Sequence, residues 1–177
     1  MELVNILIIV SAVVLILLLW IIVGVRHLKY LRDEVRAQFD LIDEDLRKRH
    51  DLLPNLAETL RMFDKTKENL IEKLIIDRTH AAREKTIGLK KIEYEHELSA
   101  IINQIIECGK SNTELGKDTN FLELKKEIDD LEKDVEAKTK KYNEMVRYYN
   151  RHRGLVLLAP IALIFNYKPA DIFEVEV

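Results

Sequence analysis

Apolar residues fall in stripes along this chain, and the stripes define its elements. From Leu3 to Val25 the run is almost unbroken, with Asn5 and Ser11 its only polar side chains. As a helix it rises about 34 Å, enough to cross a hydrocarbon core of about 30 Å. Trp20 lies near one end, where an amphipathic ring favours the membrane–water interface. Met1-Glu2 carries no basic side chain and Gly24-Val25-Arg26 is not a small-x-small cleavage site. The pattern therefore predicts an uncleaved transmembrane anchor and not a signal peptide.

Beyond the anchor, Leu28, Leu31, Val35, Phe39, Ile42 and Leu46 recur at spacings of three and four, one apolar face of a helix. No glycine or proline separates this face from Val25, so the membrane helix is expected to continue as one rod to about His50. Asp51-Leu52-Leu53-Pro54-Asn55 then predicts a turn. Asp51 suits an N-cap, and Pro54 is tolerated in the first turn of a second helix. That helix carries Leu53, Leu56, Leu60, Phe63, Leu70 and Leu74. Its stripe fades between Asp77 and Leu98 and returns with Ile101, Ile102, Ile105 and Ile106. A helix over 52–107 would be about 84 Å long, against about 37 Å for residues 26–50. The mismatch predicts a break near Thr86–Leu89, with Gly88 its weak point; the alternative is one long helix with a solvated middle.

Residues 108–120 read as a loop, with Thr119 or Asn120 capping the last helix. There Phe121, Leu124, Ile128, Leu131, Val135, Lys138, Tyr142, Met145 and Tyr149 alternate spacings of three and four, a coiled-coil-like seam that needs partner helices. Lys138 is its one charged member, expected where the partner stripe fades. After Gly154 the stretch Leu155 to Phe165 is apolar, too short to span a bilayer, and interrupted by Pro160. Ile172 to Val177 alternate as a strand would. If the helices alternate in direction, this tail caps the base of the bundle, touches lipid or meets another subunit. The expected fold is all-α. A transmembrane helix (1–25) continues into an antiparallel bundle of three to four long helices (26–153), followed by an apolar tail (154–177).

Composition agrees: one third of the residues are charged, with only 5 Gly and 3 Pro, which suits long helices. The net charge of -3 gives no field to attract nucleic acid, so no nucleic-acid partner is expected. Cys108 is the single cysteine, which excludes an intramolecular disulfide. Arg26, Lys29, Arg32 and Arg36 follow the anchor while Glu2 precedes it. The positive-inside rule then places the large domain in the cytoplasm of a single-pass membrane protein.

Little in the chain reads as catalytic chemistry. Glu93-Tyr94-Glu95-His96 has the Glu-x-x-His spacing of di-iron bundles, and Asp77-Arg78-Thr79-His80 is a loose copy. The two histidines lie about 24 Å apart on one helix, too far for a shared metal. Arg47-Lys48-Arg49-His50 reads as a solvated helix end. No phosphate loop or nucleophile motif appears, so no catalytic residue, metal or cofactor is expected.

Two motifs carry a family resemblance. Lys48-Arg49-His50-Asp51-Leu52-Leu53-Pro54-Asn55-Leu56 resembles the Arg-Arg-x-Asp-Leu-Ile-Pro-Asn-Leu signature of LemA proteins. Tyr142-Asn143-Glu144-Met145-Val146-Arg147-Tyr148-Tyr149-Asn150 is similar to the family's Tyr-Asn-x-x-Val-x-x-Tyr-Asn, and Phe173 fits its ending. The chain departs from the family pattern at Asn112-Thr113-Glu114-Leu115, where a Tyr-Pro-x-Leu element is usual, and at Leu157, where a proline is usual. The resemblance implies a bacterial, membrane-anchored helical bundle without an established catalytic activity. It also implies the company of envelope proteins such as membrane proteases.

The residues of interest are Arg49, Asp51, Pro54, Asn55, Tyr142, Asn143, Tyr149 and Asn150. Both tyrosines lie on one seam and need partners for their hydroxyls. Arg49, Asp51 and Asn55 could supply them, which would make a polar lock between helices. The function expected is a non-catalytic scaffold or adaptor that self-associates at the membrane. The alternative is a ligand-responsive sensor or enzyme built on the same polar cluster.

Overall fold

The computed structural model of the chain describes residues 2–84 and 88–173. Among these residues every regular element is helical. They are α1 (Glu2–Phe63), α2 (Glu68–Arg83), α3 (Leu89–Ser111), α4 (Thr119–Arg153) and the short α5 (Ala159–Ile164), with 3-10 turns at Lys65–Lys67 and Leu115–Lys117.

The turn expected at Asp51–Asn55 does not form. α1 runs through Pro54 and ends at Phe63. An interior proline removes the N–H that would bond the carbonyl four residues earlier, here that of His50. Arg78 of α2 fills the gap, its Nε donating to the His50 carbonyl at 2.6 Å. With that carbonyl satisfied, the helix continues and so does its stripe. Phe39, Ile42, Leu46, Arg49, Leu53, Leu56 and Leu60 keep the alternation of three and four, and all are buried.

The break expected near Gly88 is present: α2 stops at Arg83 and α3 starts at Leu89, with Gly88 before its first turn. Thr86 and Ile87, part of that expected site, lie outside the described residues, as does most of the strand-like alternation, at 174–177. The loop is shorter than expected because α3 continues to Ser111. Gly109 is buried in its last turns, where an added Cβ would lie 2.3 Å from Phe121 Cε1 and 2.5 Å from Cζ. The cap of α4 is Asp118, whose carboxylate accepts from the Phe121 amide at 2.8 Å. Thr119 opens the helix, and the Asn120 amide instead donates to Thr59 Oγ1 at 2.8 Å.

Contacts divide the chain into two units, Met1–Ala37 with Glu144–Ala170, and Gln38–Asn143 with Asp171–Val177. In the second unit Leu53, Leu56 and Leu60 of α1 meet Ile71 and Leu74 of α2, Leu98, Ile101, Ile102 and Ile105 of α3, and Phe121 and Ile128 of α4. This is the packed core of a helical bundle. In the first unit none of the described residues covers the apolar run of α1 over its most hydrophobic stretch. It is the one described helix long and apolar enough to cross a membrane. Just past it, Val25 and Leu28 pack with Trp20 against Leu158, Ile161 and Ala162.

The Pro54–Arg78 pairing has a measurable consequence. Arg78→Met leaves the His50 carbonyl without a donor and should lower stability by about 1–3 kcal/mol in chemical denaturation. In a Pro54→Ala background, where an N–H returns to the carbonyl, the same substitution should lose most of its effect. Equal losses in the two backgrounds would refute the pairing.

Candidate functional site

The motif around residue 49 builds a buried ion cluster in the second unit. Arg49 is 1% exposed and Glu95, on α3, is 0% exposed. Arg49 Nη2 lies 2.7 Å from Glu95 Oε2. Its Nη1 donates to Ser99 Oγ at 2.8 Å and lies 3.4 Å from Glu132 Oε1 on α4. One side chain of α1 thus reaches both α3 and α4. His50 Nε2 sits 3.1 Å from the same Glu95 oxygen. Lys91 is buried one helical turn before Glu95, with Nζ 3.3 Å from Glu95 Oε1, 3.2 Å from Asp43 Oδ1 and 3.2 Å from the Ala81 carbonyl oxygen. Lys138, the charged member of the α4 stripe, pairs with buried Asp45.

Burial acts to raise the Glu95 pKa. The hydrogen bond from His50 and the charges of His50, Arg49 and Lys91 outweigh it and bring the carboxyl down from 4.5 to about 2. Glu95 is therefore ionised at neutral pH, and His50 Nε2 is the donating nitrogen. At Glu132, burial prevails over the pull of Arg49 and the pKa is raised.

The basic run Arg47-Lys48-Arg49-His50 is accordingly not a solvated helix end. Arg47 and Lys48 face water, but Arg49 and His50 are buried. The reason is that α1 does not end there, so its inward face continues and must place Arg49 in the core. Asp51 is exposed, 3.7 Å from Arg78 Nη2. Pro54 and Asn55 are exposed as well.

The Tyr-Asn motif does different work. In the second unit Asn143 grips the backbone of Phe173 from both sides: Nδ2 donates to its carbonyl at 2.8 Å and Oδ1 accepts from its amide at 2.9 Å. Tyr142 donates to the Asp171 carbonyl at 2.9 Å. The Phe173 ring is wholly buried against Phe39 and Tyr142, centroids 5.7 and 6.5 Å away. Burial, with the Asp171 charge adding to it, pushes the Tyr142 hydroxyl up to about 12. In the first unit the pattern repeats. Asn150 pairs with both backbone groups of Ala170, at 2.8 and 3.0 Å, and Tyr149 donates to the Lys168 carbonyl at 2.8 Å. Seven residues of helix and three of extended chain both advance about 10 Å, so one sequence motif makes the same three bonds twice.

The polar lock expected between the two motifs is therefore replaced. The tyrosine hydroxyls go to tail carbonyls, while Arg49 goes to Glu95, Ser99 and Glu132. The backbone of an extended tail has no helical partners of its own, so it is the stronger claimant for side chains that both donate and accept.

Glu95, Lys91, Asp43 and Ser99 escaped sequence reasoning, yet a signal existed. Lys91, Glu95, Leu98, Ile102 and Ile105 alternate spacings of four and three, which places both charges on the apolar face of α3. A cleft of about 220 Å³ lies beside the cluster, lined by Asp43, Arg47, His50, Ala82, Glu84 and Lys91. Among the described residues, no group of His, Cys, Asp and Glu side chains is placed to hold a metal ion.

Among the described residues, all-helical regular structure with one membrane-length apolar segment, an ionic core and a clamped tail defines the class of the protein. Residues 38–177 match the family model for the LemA family, and the chain belongs to that family. No curated protein matches it.

Two measurements test the site. The depressed pKa of Glu95 contributes stability that is complete above about pH 4.5 and lost as the pH falls toward 2. Glu95→Gln should be less stable than wild type by about 3 kcal/mol at pH 7, and the gap should close across that acid range; a gap independent of pH would contradict the assignment. At the clamp, Asn143→Asp replaces the donor facing the Phe173 carbonyl with an acceptor. Protection of the Phe173 amide from hydrogen exchange should fall more than in Tyr142→Phe, which removes a single bond of about 1 kcal/mol.

Proposed function

We propose that this chain is a membrane-anchored scaffold or adaptor of the cell envelope, without catalytic activity, that self-associates and presents its bundle on the cytoplasmic face. The observation that carries this reading is where the motif side chains go. Arg49, Tyr142, Asn143, Tyr149 and Asn150 all bond to the protein itself, so they hold a surface in shape and do not line a reaction chamber. The uncovered apolar run of α1 supplies the anchor. Arg26, Lys29, Arg32 and Arg36 favour the cytoplasmic orientation. Partners of this reading are the lipid bilayer, further copies of the chain, and envelope proteins such as membrane proteases.

Cross-linking in native membranes, with identification of what is captured, tests the adaptor role. The sizing of detergent-solubilised protein tests self-association, which a purely monomeric species would rule out. For topology, Ser111→Cys should resist a membrane-impermeant thiol reagent in intact cells and react after permeabilisation.

A second reading, a ligand-responsive sensor or enzyme, draws support from the cleft beside the ion cluster. It gains ground if a small charged compound raises the melting temperature of wild type but not of Arg47→Ala, a change at a cleft residue that faces water.

A further inference from the structure

Within the unit formed by Met1–Ala37 and Glu144–Ala170, a second apolar surface lies beside the apolar run of α1. α5 and the turn before it pack inward through Leu158, Ile161 and Ala162 against Trp20, Val25 and Leu28. The approach is close because Gly24 has no side chain: a Cβ there would lie 2.3 Å from Ile161 Cδ1. Tyr167, following α5, donates its hydroxyl to the Val25 carbonyl at 3.2 Å. These contacts pin α5 at one level of α1, the last turns of its apolar run.

The opposite side of this element is also apolar. Val156 is 88% exposed, Leu163 83%, Ile164 74% and Leu157 70%. Water is a poor environment for such a group of side chains, and a soluble protein rarely exposes one. The residues that flank it are basic: Arg151 and Arg153 end α4, Lys168 follows α5, and Arg26 and Lys29 follow the span. An apolar face beside a cationic rim is the arrangement of elements that lie in the boundary between headgroups and acyl chains, typically about 5–10 Å deep.

We infer that α5 and its preceding turn form an interfacial membrane insert, docked on the end of the transmembrane helix and seated among phospholipid headgroups with Val156, Leu157, Leu163 and Ile164 turned toward the acyl chains. The occupant of this surface is the bilayer because the contact at Gly24 fixes its level: whatever surrounds the last turns of the apolar run also surrounds α5. Phosphate groups meet the rim of arginine and lysine. The insert gives the chain two membrane contacts far apart in sequence, so the end of α4 is held at the surface together with the base of α1. This inference rests on the reading that α1 crosses the bilayer.

The test uses the full chain in vesicles of phosphatidylcholine and phosphatidylglycerol, with Cys108→Ser removing the native thiol. An environment-sensitive fluorophore is placed singly at Val156→Cys, Leu163→Cys, Leu15→Cys within the span and Lys126→Cys on the exposed face of α4. Lipids carry a quenching spin label either near the headgroup or near the chain end. The labels at 156 and 163 should lose emission to the shallow quencher, the label at 15 to the deep one, and the label at 126 to neither. Loss of quenching at 15 would overturn the anchor and the insert together. Quenching at 15 without quenching at 156 and 163 would overturn the insert alone. A blue-shifted label at 163 that no lipid quenches, and that reverts on dilution with empty vesicles, would assign the surface to a second copy of the chain and equally overturn the insert.

Discussion

A guanidinium almost wholly removed from water cannot be left alone: the effective desolvation penalty is several kcal/mol per ion. Arg49 is in that position, and the bundle is arranged around the requirement. Its charge is met by Glu95 on α3, its second amino group by Ser99 and by Glu132 on α4. Leucine and isoleucine faces can slide past one another by a helical turn with modest loss, because one apolar contact resembles the next. The ion cluster cannot, since a shifted register leaves a buried charge without its counter-ion, at a cost of about 3–5 kcal/mol. The cluster therefore contributes chiefly to register, while the surrounding apolar core contributes most of the stability.

The same logic recurs at each polar departure from the apolar stripes. Pro54 strips a donor from its own helix, and Arg78 supplies one from α2. Lys138 interrupts the α4 seam and faces Asp45. The extended tail has unpaired backbone groups, and Asn143 and Asn150 pair with them. Each device joins elements distant in sequence, so side chains that would otherwise mark a reaction site hold the fold together. A domain of that construction offers a fixed outer surface.

Much of this was legible in the residues. The membrane-length apolar stretch of α1 and the long seam of α4 follow from the hydrophobic pattern, because helix geometry maps spacing onto faces directly, and the break before α3 follows from the fading stripe, the helix-length mismatch and Gly88. The end of the first helix was misplaced because Pro54 reads locally as a start. What cancels its effect is Arg78, 24 positions away and invisible to any local rule. The ion cluster was missed for a related reason: a charge on an apolar face looks like the edge of the face until its partner is known. Arg49 between Leu46 and Leu53, and Glu95 ahead of Leu98, hold the same alternation as their apolar neighbours, and that register was the available clue. The tail clamp was half legible. The paired tyrosines and asparagines announced a need for hydrogen-bond partners, but a backbone partner leaves no mark in a sequence.

That last point bears on how the tail can vary. The hydrogen bonds of Asn143 and Asn150 to the tail go to main-chain atoms, so these bonds read shape and not identity. Amide hydrogens are required at Ala170 and Phe173, which excludes an imino acid at both positions. Pro169 stands just before Ala170, at a position where no amide is called upon, and its ring biases Lys168 toward the extended conformation that the grip needs. Lys168, Asp171 and Ile172 project into solvent. Asp171 and Ile172 can drift in charge, size or polarity over evolutionary time while the attachment stays the same, which gives related chains a stretch of surface to diversify without remaking the bundle.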